Sequence, residues 1–542
     1  MNKARKSRGA DALIRALEAA GTRRIFTLSG NHIMPVFDAA FDSSIALIHT
    51  RHEASTVHMA DAYARITGEV GIALVTGGPG HANAVSALYT AQMAESPVVL
   101  LSGHAPNDQL GQGAFQEMQQ AAMAAPVTKA AWACASVDEV ASDIAKAIRL
   151  ARSGRPGPVH LSLPTDVLEA NASAPIPAAE AFEPEAMPLD DATAADLMHR
   201  LAQAKRPMIL AGASCMTRPG RALLAALEAA SGVPVIGMES PRGIIDASLG
   251  AFAQVLAQSD VILLLGKRVD FTLKFGKAPF PADAAVHQID AEPAEIERTR
   301  RALGAHLQVT AQADAASSLK ALARHAARAS SGEWLAEVRS AIAYRPAAWD
   351  TARSEITGRL HPVQMLRPMQ ALLDSHPEAV LVCDGGEIGQ WAMACLSAPH
   401  RVNNGVAGSI GAGLPYALGA RCAVPADAPV VAVMGDGTIG FHIAEYDTAV
   451  RYGLGFVSVI GNDARWNAEY QIQLRDYGAE RLLGCELRPM RYDAVAQAFG
   501  AHGELVTDAQ AMLAAAQRAH AGGLPACLNV MIEGVPAPQI KR

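Results

Sequence analysis

The stretch Val430-Val431-Ala432-Val433-Met434-Gly435-Asp436-Gly437-Thr438 decides how this chain is read. Five apolar residues make a buried strand, and two glycines around an acid turn it. A helix-like stretch follows over residues 441–452, then a second apolar run, 456–460, which ends at Gly461-Asn462-Asp463. Two parallel strands joined by a helix place Asp436 and Asp463 at the same edge of one sheet. Glycines let a phosphate approach the backbone, a helix N-terminus offers N–H donors, and carboxylate oxygens suit a hard cation. The arrangement predicts a metal-diphosphate site. A lone G-D-G is a common turn; followed by helix, strand and N-D it is far more specific.

Working outward, short apolar runs alternate with helix-length segments along almost the whole chain, the pattern of parallel βαβ units. Three blocks separate. The first has strand candidates at 24–28, 45–49, 71–76, 98–102 and 159–163, and ends in an Ala/Pro-rich linker, 171–188. The second, from about 189 to 328, has them at 208–211, 233–236, 261–265, 285–289 and 306–309. A connector, 329–357, leads to the third block, with strands at 380–383, 430–434, 456–460 and 528–532. The fold class is α/β, with parallel sheets and flanking helices. A chain of 542 residues, 50 % hydrophobic and 18 % charged, suits two to four globular cores.

The net charge of −7 gives no reason to expect nucleic acid. Seven cysteines, odd in number and without a C-x-x-C pair, read as reduced thiols in a cytoplasmic protein. The basic start, residues 1–9, runs into an amphipathic helix pattern over 10–20. No signal core and no run of about 18 apolar residues is present, so neither export nor a membrane span is expected.

Three further stretches carry chemistry-bearing residues. Thr50-Arg51-His52-Glu53-Ala54 opens a helical stretch, 57–65; a charged cluster there is usually a solvated cap. Val75-Thr76-Gly77-Gly78-Pro79-Gly80-His81-Ala82-Asn83 is a strand, a Gly loop and a helix start, without the lysine or spacing of a P-loop. Residues 404–415, rich in glycine, permit close packing of a helix.

Together these residues resemble the thiamine-diphosphate (ThDP) enzymes of the acetolactate-synthase-like superfamily, over nearly the whole chain. The resemblance rests on Arg51-His52-Glu53, residues 76–80, Phe115-Gln116-Glu117, residues 386–391, Gly408-Ser409-Ile410-Gly411, and the pair Asp436/Asp463. It implies three domains: pyrimidine-binding (1–172), Rossmann-like middle (188–330) and diphosphate-binding (355–535). It also implies a homodimer at minimum and a homotetramer in full, with ThDP held between subunits. Glu53 matches the glutamate that works on the aminopyrimidine ring and so generates the C2 carbanion. Asp436, Asp463 and the Arg465 carbonyl match the Mg²⁺ ligands. Gly386, Glu387, Ile388, Gly435, Gly437 and Thr438 match the diphosphate contacts. Ile410, with Gly408 and Ser409, matches the wedge that bends the cofactor; Pro79 and Asn83 match cofactor contacts on the pyrimidine side. Where the family commonly reads Asn-Asn, this chain reads Asn462-Asp463, which leaves Asn462 as a rival metal ligand.

For the reaction, His32 in Gly30-Asn31-His32-Ile33 resembles the histidine of benzaldehyde-lyase and 2-hydroxyacyl-CoA-lyase members, and Gln116 a residue on the substrate side. Phe115, Trp466, Asn467, Tyr470 and Gln471 are candidates for the substrate wall. Residues 464–471 lack the Gln-Trp motif of acetolactate synthases, and the middle-domain segment 249–256 is short, which leaves FAD doubtful. The implied reaction is carbon–carbon cleavage or ligation of a small 2-hydroxy ketone, 2-keto acid or 2-hydroxyacyl substrate. Acetolactate-type condensation, decarboxylation and a non-catalytic regulatory role are the alternatives.

Overall fold

A computed structural model describes residues 7–326, 328 and 332–542; residues 1–6 of the basic start and 329–331 of the connector lie outside the described residues. By contact the chain divides into two units, one ending at Ala186 and one from Met187 to Arg542. The first unit holds one sheet: β1 (Arg24–Thr27), β2 (Ala46–His49), β3 (Gly71–Val75), β4 (Val98–His104), β5 (Ala130–Ala133) and β6 (Val159–Pro164), in the order β2-β1-β3-β4-β6-β5. The second unit holds two. The middle sheet has β7 (Pro207–Ala211), β8 (Val235–Gly237), β9 (Val261–Leu265), β10 (Ala285–Asp290) and β11 (Leu307–Gln312), ordered β11-β10-β9-β7-β8. The third has β12 (Val380–Cys383), β13 (His400–Asn403), β14 (Val430–Gly435), β15 (Val457–Asn462), β16 (His502–Val506) and β17 (Ala526–Met531), ordered β13-β12-β14-β15-β17-β16.

Every pairing is parallel. The architecture is three parallel α/β sheets with flanking helices. Helices cover both faces, so central strands are apolar on both sides: Val431, Val433, Val457, Val459 and Leu528 fill one core, while Ala432, Met434 and Ile460 are equally buried. The connector helix Gly332–Ala343 adds Trp334, Val338 and Ala341 to the core of the middle sheet. Within the second unit, Arg401 on β13 reaches Glu239 at 3.0 Å and Asp246 at 3.4 Å, tying loops of the middle sheet to the third.

Three strands were not expected: β5, β13 and β16. Each lies at the edge of its sheet; β13 and β16 carry polar residues, and β5 is the short, mostly alanine run Ala130-Ala131-Trp132-Ala133. Of the helix expected over 441–452, the structure forms Glu445–Arg451; residues 441–444 are a turn, and a separate single helical turn, Asp436–Ile439, precedes them. Phe441 leaves the helical path between them, lying edge-on to Trp466 with ring centroids 6.2 Å apart. It also closes over Gly411, where an added Cβ would lie 2.5 Å from its ring. The Gly-rich stretch is a loop up to Ala412, and only then the helix Gly413–Ala423. All seven cysteines are free. No helix of the described residues is long and apolar enough to cross a membrane.

Candidate active site

The candidate residues fall into two sets, one in each unit. In the first unit they lie just beyond the ends of β1, β2, β3 and β4. Glu53 is the first residue of the helix Glu53–Thr67, where the peptide dipoles favour an anion. The His52 side chain caps that helix by accepting from Ala54 N–H at 3.1 Å. Glu53 is half-buried; Asn83 Nδ2 donates to its Oε2 at 3.0 Å. Asn83 and Pro79 both come from the helix Pro79–Met93, and both are exposed.

His32 is 3 % exposed, with Nδ1 3.2 Å from Thr76 Oγ1. Its ring stacks on Phe115 at 6.0 Å and 16°. Burial lowers its pKa, and the Phe115 carbonyl offsets part of that, so the ring is neutral and able to accept a proton at neutral pH. Gly103 makes room for it: a Cβ there would lie 2.6 Å from His32 Cβ. Gln116 holds φ at +59°, a costly conformation for a residue with a side chain, and faces Gly78, where a Cβ would lie 2.7 Å from its own. Gln120 is a residue that motif reading missed. It is buried; its Oε1 accepts from Gly78 N–H at 2.9 Å, and its Nε2 donates to Gly103 O and Ser162 Oγ, both at 3.1 Å. It thus fixes the Gly loop against β4 and β6.

In the second unit, register pairs Gly435 with Gly461, which brings the two acidic turns level. The strand order reverses between β12 and β14, the switch point at which parallel sheets bind ligands. A cleft there is lined by Gly386, Glu387, Ile388, Ile410, Gly435, Asp436, Gly437, Thr438, Asp463, Arg465, Trp466 and Asn467, among others. Its glycines are dictated by close approach: a Cβ at Gly437 would lie 2.6 Å from the Trp466 ring, and one at Gly386 2.7 Å from Ala468. Gly408, Ser409, Tyr470 and Gln471 do not line it. The Tyr470 ring lies under the Arg465 guanidinium at 4.0 Å. Asn467 and Gln471 instead hold the segment after β17, donating to Val535 O at 2.9 Å and Gly534 O at 3.1 Å.

Asp436 and Asp463 are 2 % and 6 % exposed. Burial pushes both carboxyls up, and the charge of Asp463 pushes Asp436 further. Asp436 Oδ2 is buried without a hydrogen-bond donor. Two facing carboxylates with an unsatisfied oxygen fit a divalent cation, which would remove the repulsion and fill the lone pair. No cluster of three or more His, Cys, Asp or Glu suited to a metal occurs among the described residues, so further oxygens would come from backbone, hydroxyl or amide groups, water or phosphate. Arg359, also missed from sequence, donates to Asp463 O at 3.2 Å and Ile532 O at 2.9 Å, pinning this strand end. Asp463 Oδ1 accepts from Arg465 N–H at 3.1 Å across Ala464, whose φ is +60°. Asn462 is turned inward: Nδ2 donates to Met490 O at 2.9 Å and Asn529 Oδ1 at 3.2 Å.

Asp384 is the third acid at a strand end here and was also missed. It follows β12 as Asp436 follows the apolar run of β14 and Asp463 follows β15, so the signal stood in the sequence. Glu387 lines the cleft; burial raises its pKa, and its Oε2 accepts from Gln390 Nε2 at 3.0 Å.

Comparison with known proteins gives three family matches: thiamine pyrophosphate enzyme N-terminal TPP binding domain over residues 7–123, central domain over 194–322 and C-terminal TPP binding domain over 384–530. The chain is 32 % identical to the acetolactate synthase large subunit IlvG of Mycobacterium tuberculosis, covering 96 % of this chain and 95 % of that one. It is 30 % identical to human 2-hydroxyacyl-CoA lyase 2, covering 98 % and 91 %. It is also 30 % identical to the acetolactate synthase large subunit of Parasynechococcus marenigrum, covering 92 % and 83 %.

Proposed function

This chain belongs to the thiamine pyrophosphate enzymes, as an enzyme of the lyase/transferase kind, and we propose that it is a Mg²⁺-dependent carbon–carbon lyase/carboligase. Its substrates in this reading are 2-hydroxy ketones, 2-keto acids or 2-hydroxyacyl compounds. When bound, the cofactor supplies the nucleophilic carbon and the electron sink.

The chain's own residues do the rest. Asp436, Asp463 and the Arg465 carbonyl would hold Mg²⁺; Gly386, Glu387, Ile388, Gly435, Gly437 and Thr438 would hold the diphosphate; Ile410, on the loop that carries Gly408 and Ser409, would shape the cofactor's seat, and Pro79 and Asn83 would meet its pyrimidine side. Glu53, steadied through Oε2 by Asn83, holds a proton on its other oxygen. His32 takes and returns the substrate hydroxyl proton, with Gln116 beside it. Phe115, Trp466 and Asn467 would bound the substrate, and Tyr470 and Gln471, which do not line the cleft, would support that wall through Arg465 and Gly534.

The observation that carries the reading is His32, a buried neutral imidazole oriented by Thr76 and stacked on a Phe115 ring that is 68 % exposed. The mycobacterial likeness favours a second reading, acetolactate-type condensation. Purified protein with ThDP and Mg²⁺, offered acyloins, 2-hydroxyacyl thioesters, aldehydes and pyruvate in separate reactions, decides between them. Cleavage or cross-ligation is expected; acetolactate from pyruvate alone, with no lyase product, refutes the proposal. FAD is left out of it. We take the enzyme as a cytoplasmic homo-oligomer, at least a dimer and in full a tetramer. Free thiols and exposed apolar side chains such as Tyr477 and Leu483 support this, and light scattering of the purified protein measures the assembly.

A further inference from the structure

Asp384 has no part in the roles assigned above, yet it is the most completely engaged acid in the second unit's cleft region. Its side chain is 0 % exposed. Gly411 N–H donates to Oδ2 at 3.0 Å and to Oδ1 at 3.2 Å, Gly413 N–H to Oδ2 at 2.7 Å, and Asn404 Nδ2 to Oδ1 at 3.1 Å. These donors bracket the loop that carries Gly408, Ser409 and Ile410. On the chain side, Asp384 runs directly into Gly385, held at φ +100°, and then into Gly386, Glu387 and Ile388 of the cleft. One carboxylate therefore joins two loops that come from distant parts of the sequence and both line the cleft.

We propose that Asp384 is a positioning residue, locking the Ile410 loop onto the Gly385 turn so that the diphosphate cleft is shaped before cofactor arrives. The chemistry selects this side chain. Every partner is an N–H donor, and only a carboxylate presents acceptors alone. An asparagine, in either orientation, turns its own N–H₂ toward at least one of those donors. Gly413 in turn lets its N–H approach, because a Cβ there would lie 3.0 Å from both Cβ and Oδ2 of Asp384. Hydrogen bonds to a charged group are the strong kind, so losing them frees the loop. Preorganisation of this sort lowers what binding must spend on ordering.

The inference rests on the family's cofactor and not on the proposed substrates, so failure of the lyase assays leaves it standing. Full-length Asp384→Asn is compared with wild type by hydrogen exchange without cofactor and by ThDP titration in Mg²⁺, followed through tryptophan fluorescence. Exchange at the Gly411 and Gly413 amides is expected to rise about tenfold or more, with amides of β14 and β15 unchanged, and ThDP Kd to rise about tenfold or more. Wild-type ThDP Kd, whether or not the loop amides exchange faster, overturns the proposal. If the variant does not fold, Asn404→Ala removes one donor only. It is expected to weaken ThDP about threefold or more, and an unchanged Kd there overturns the proposal equally.

Discussion

Glu53 and Asp436 each begin a helix beyond the end of a parallel strand, yet the two positions are built for different tasks. Glu53 starts a helix of 15 residues, stays half-buried, and already has Asn83 as a donor to one oxygen. Asp436 starts a single turn of 4 residues, is buried, faces a second buried carboxylate and has an oxygen with no donor. The fold gives the first acid a donor on one oxygen, whereas in the proposed reading the second waits for a cation. An acid that must gain and lose a proton needs a partner that does not compete for it. A metal ligand needs a cavity that is unfavourable until the metal arrives.

The sharpest way to break this comparison is Glu53→Gln. The amide keeps a carbonyl for Asn83 but cannot shuttle a proton. Turnover is expected to fall about 10²–10⁴-fold while ThDP affinity stays within a few-fold. A turnover loss under tenfold removes the proton role; equal losses in turnover and affinity make Glu53 merely a cofactor contact.

Asp436→Asn tests the other side. Mg²⁺-dependent ThDP affinity is expected to drop about 100-fold by calorimetry. The metal-free protein should move the opposite way. Both carboxyls have folded pKa values above their unfolded ones, so the folded state holds extra protons. Stability from this pair is therefore greatest in acid and declines as pH rises from about 4 through the raised values. At pH 7 the metal-free variant is expected to be roughly 1–3 kcal/mol more stable than wild type, a gap that closes toward pH 4. Denaturant melts at both pH values measure it, and excess Mg²⁺ should abolish the gain. Asp463→Ala is expected to share the affinity loss. If Asn462→Ala loses metal while Asp463→Ala does not, the ligand assignment is reversed.

The comparison also explains what could be read from sequence. Asp436 and Asp463 were legible because central parallel strands are apolar on both faces and end abruptly, which marks the site by punctuation alone. Glu53 and His32 follow short strands and open ordinary polar turns, so only the company of the other motifs gave them meaning. Residues acting through the backbone were the hardest: Gln120 and Arg359 bond mainly to N–H and C=O groups brought near by the fold, and no local spacing records that; Asp384 carries the strand-end signal, but its backbone partners are visible only in the fold. Edge strands β13 and β16 escaped for a related reason, since one side of each faces no partner strand and the sequence there need not be apolar; β5 escaped because an alanine-rich run carries little strand signal. At Phe441 a helical periodicity gave way to tertiary packing against Trp466 and Gly411.

His32→Ala sharpens the comparison within the first unit. If Glu53 serves the cofactor and His32 the substrate, then carbon–carbon cleavage should fall about 100-fold with ThDP affinity unchanged. Thr76→Val, which removes the oxygen facing Nδ1, should produce a smaller loss in the same direction. Cleavage at the wild-type rate in His32→Ala removes the histidine from the mechanism and shifts weight to the condensation reading.

The smallest expected effect is at Asn83, and it bears most directly on why Glu53 differs from Asp436. The Asn83–Glu53 bond is 3.0 Å long but lies at an exposed position, where water can replace the amide. A hydrogen bond to a charged group is worth about 1.5–3 kcal/mol when buried, and solvent access brings this nearer to 1 kcal/mol. Asn83→Ala should therefore lower turnover by only about fivefold. Steady-state turnover at saturating ThDP measures it, with Asn83→Asp as the contrast, because a second carboxylate against Glu53 would recreate in the first unit the repulsion that Asp436 and Asp463 show in the second. If Asn83→Asp makes cofactor binding depend on Mg²⁺ more steeply than in wild type, the two half-sites differ only in that one donor. If it simply lowers turnover, the difference lies in burial, which no single side chain supplies.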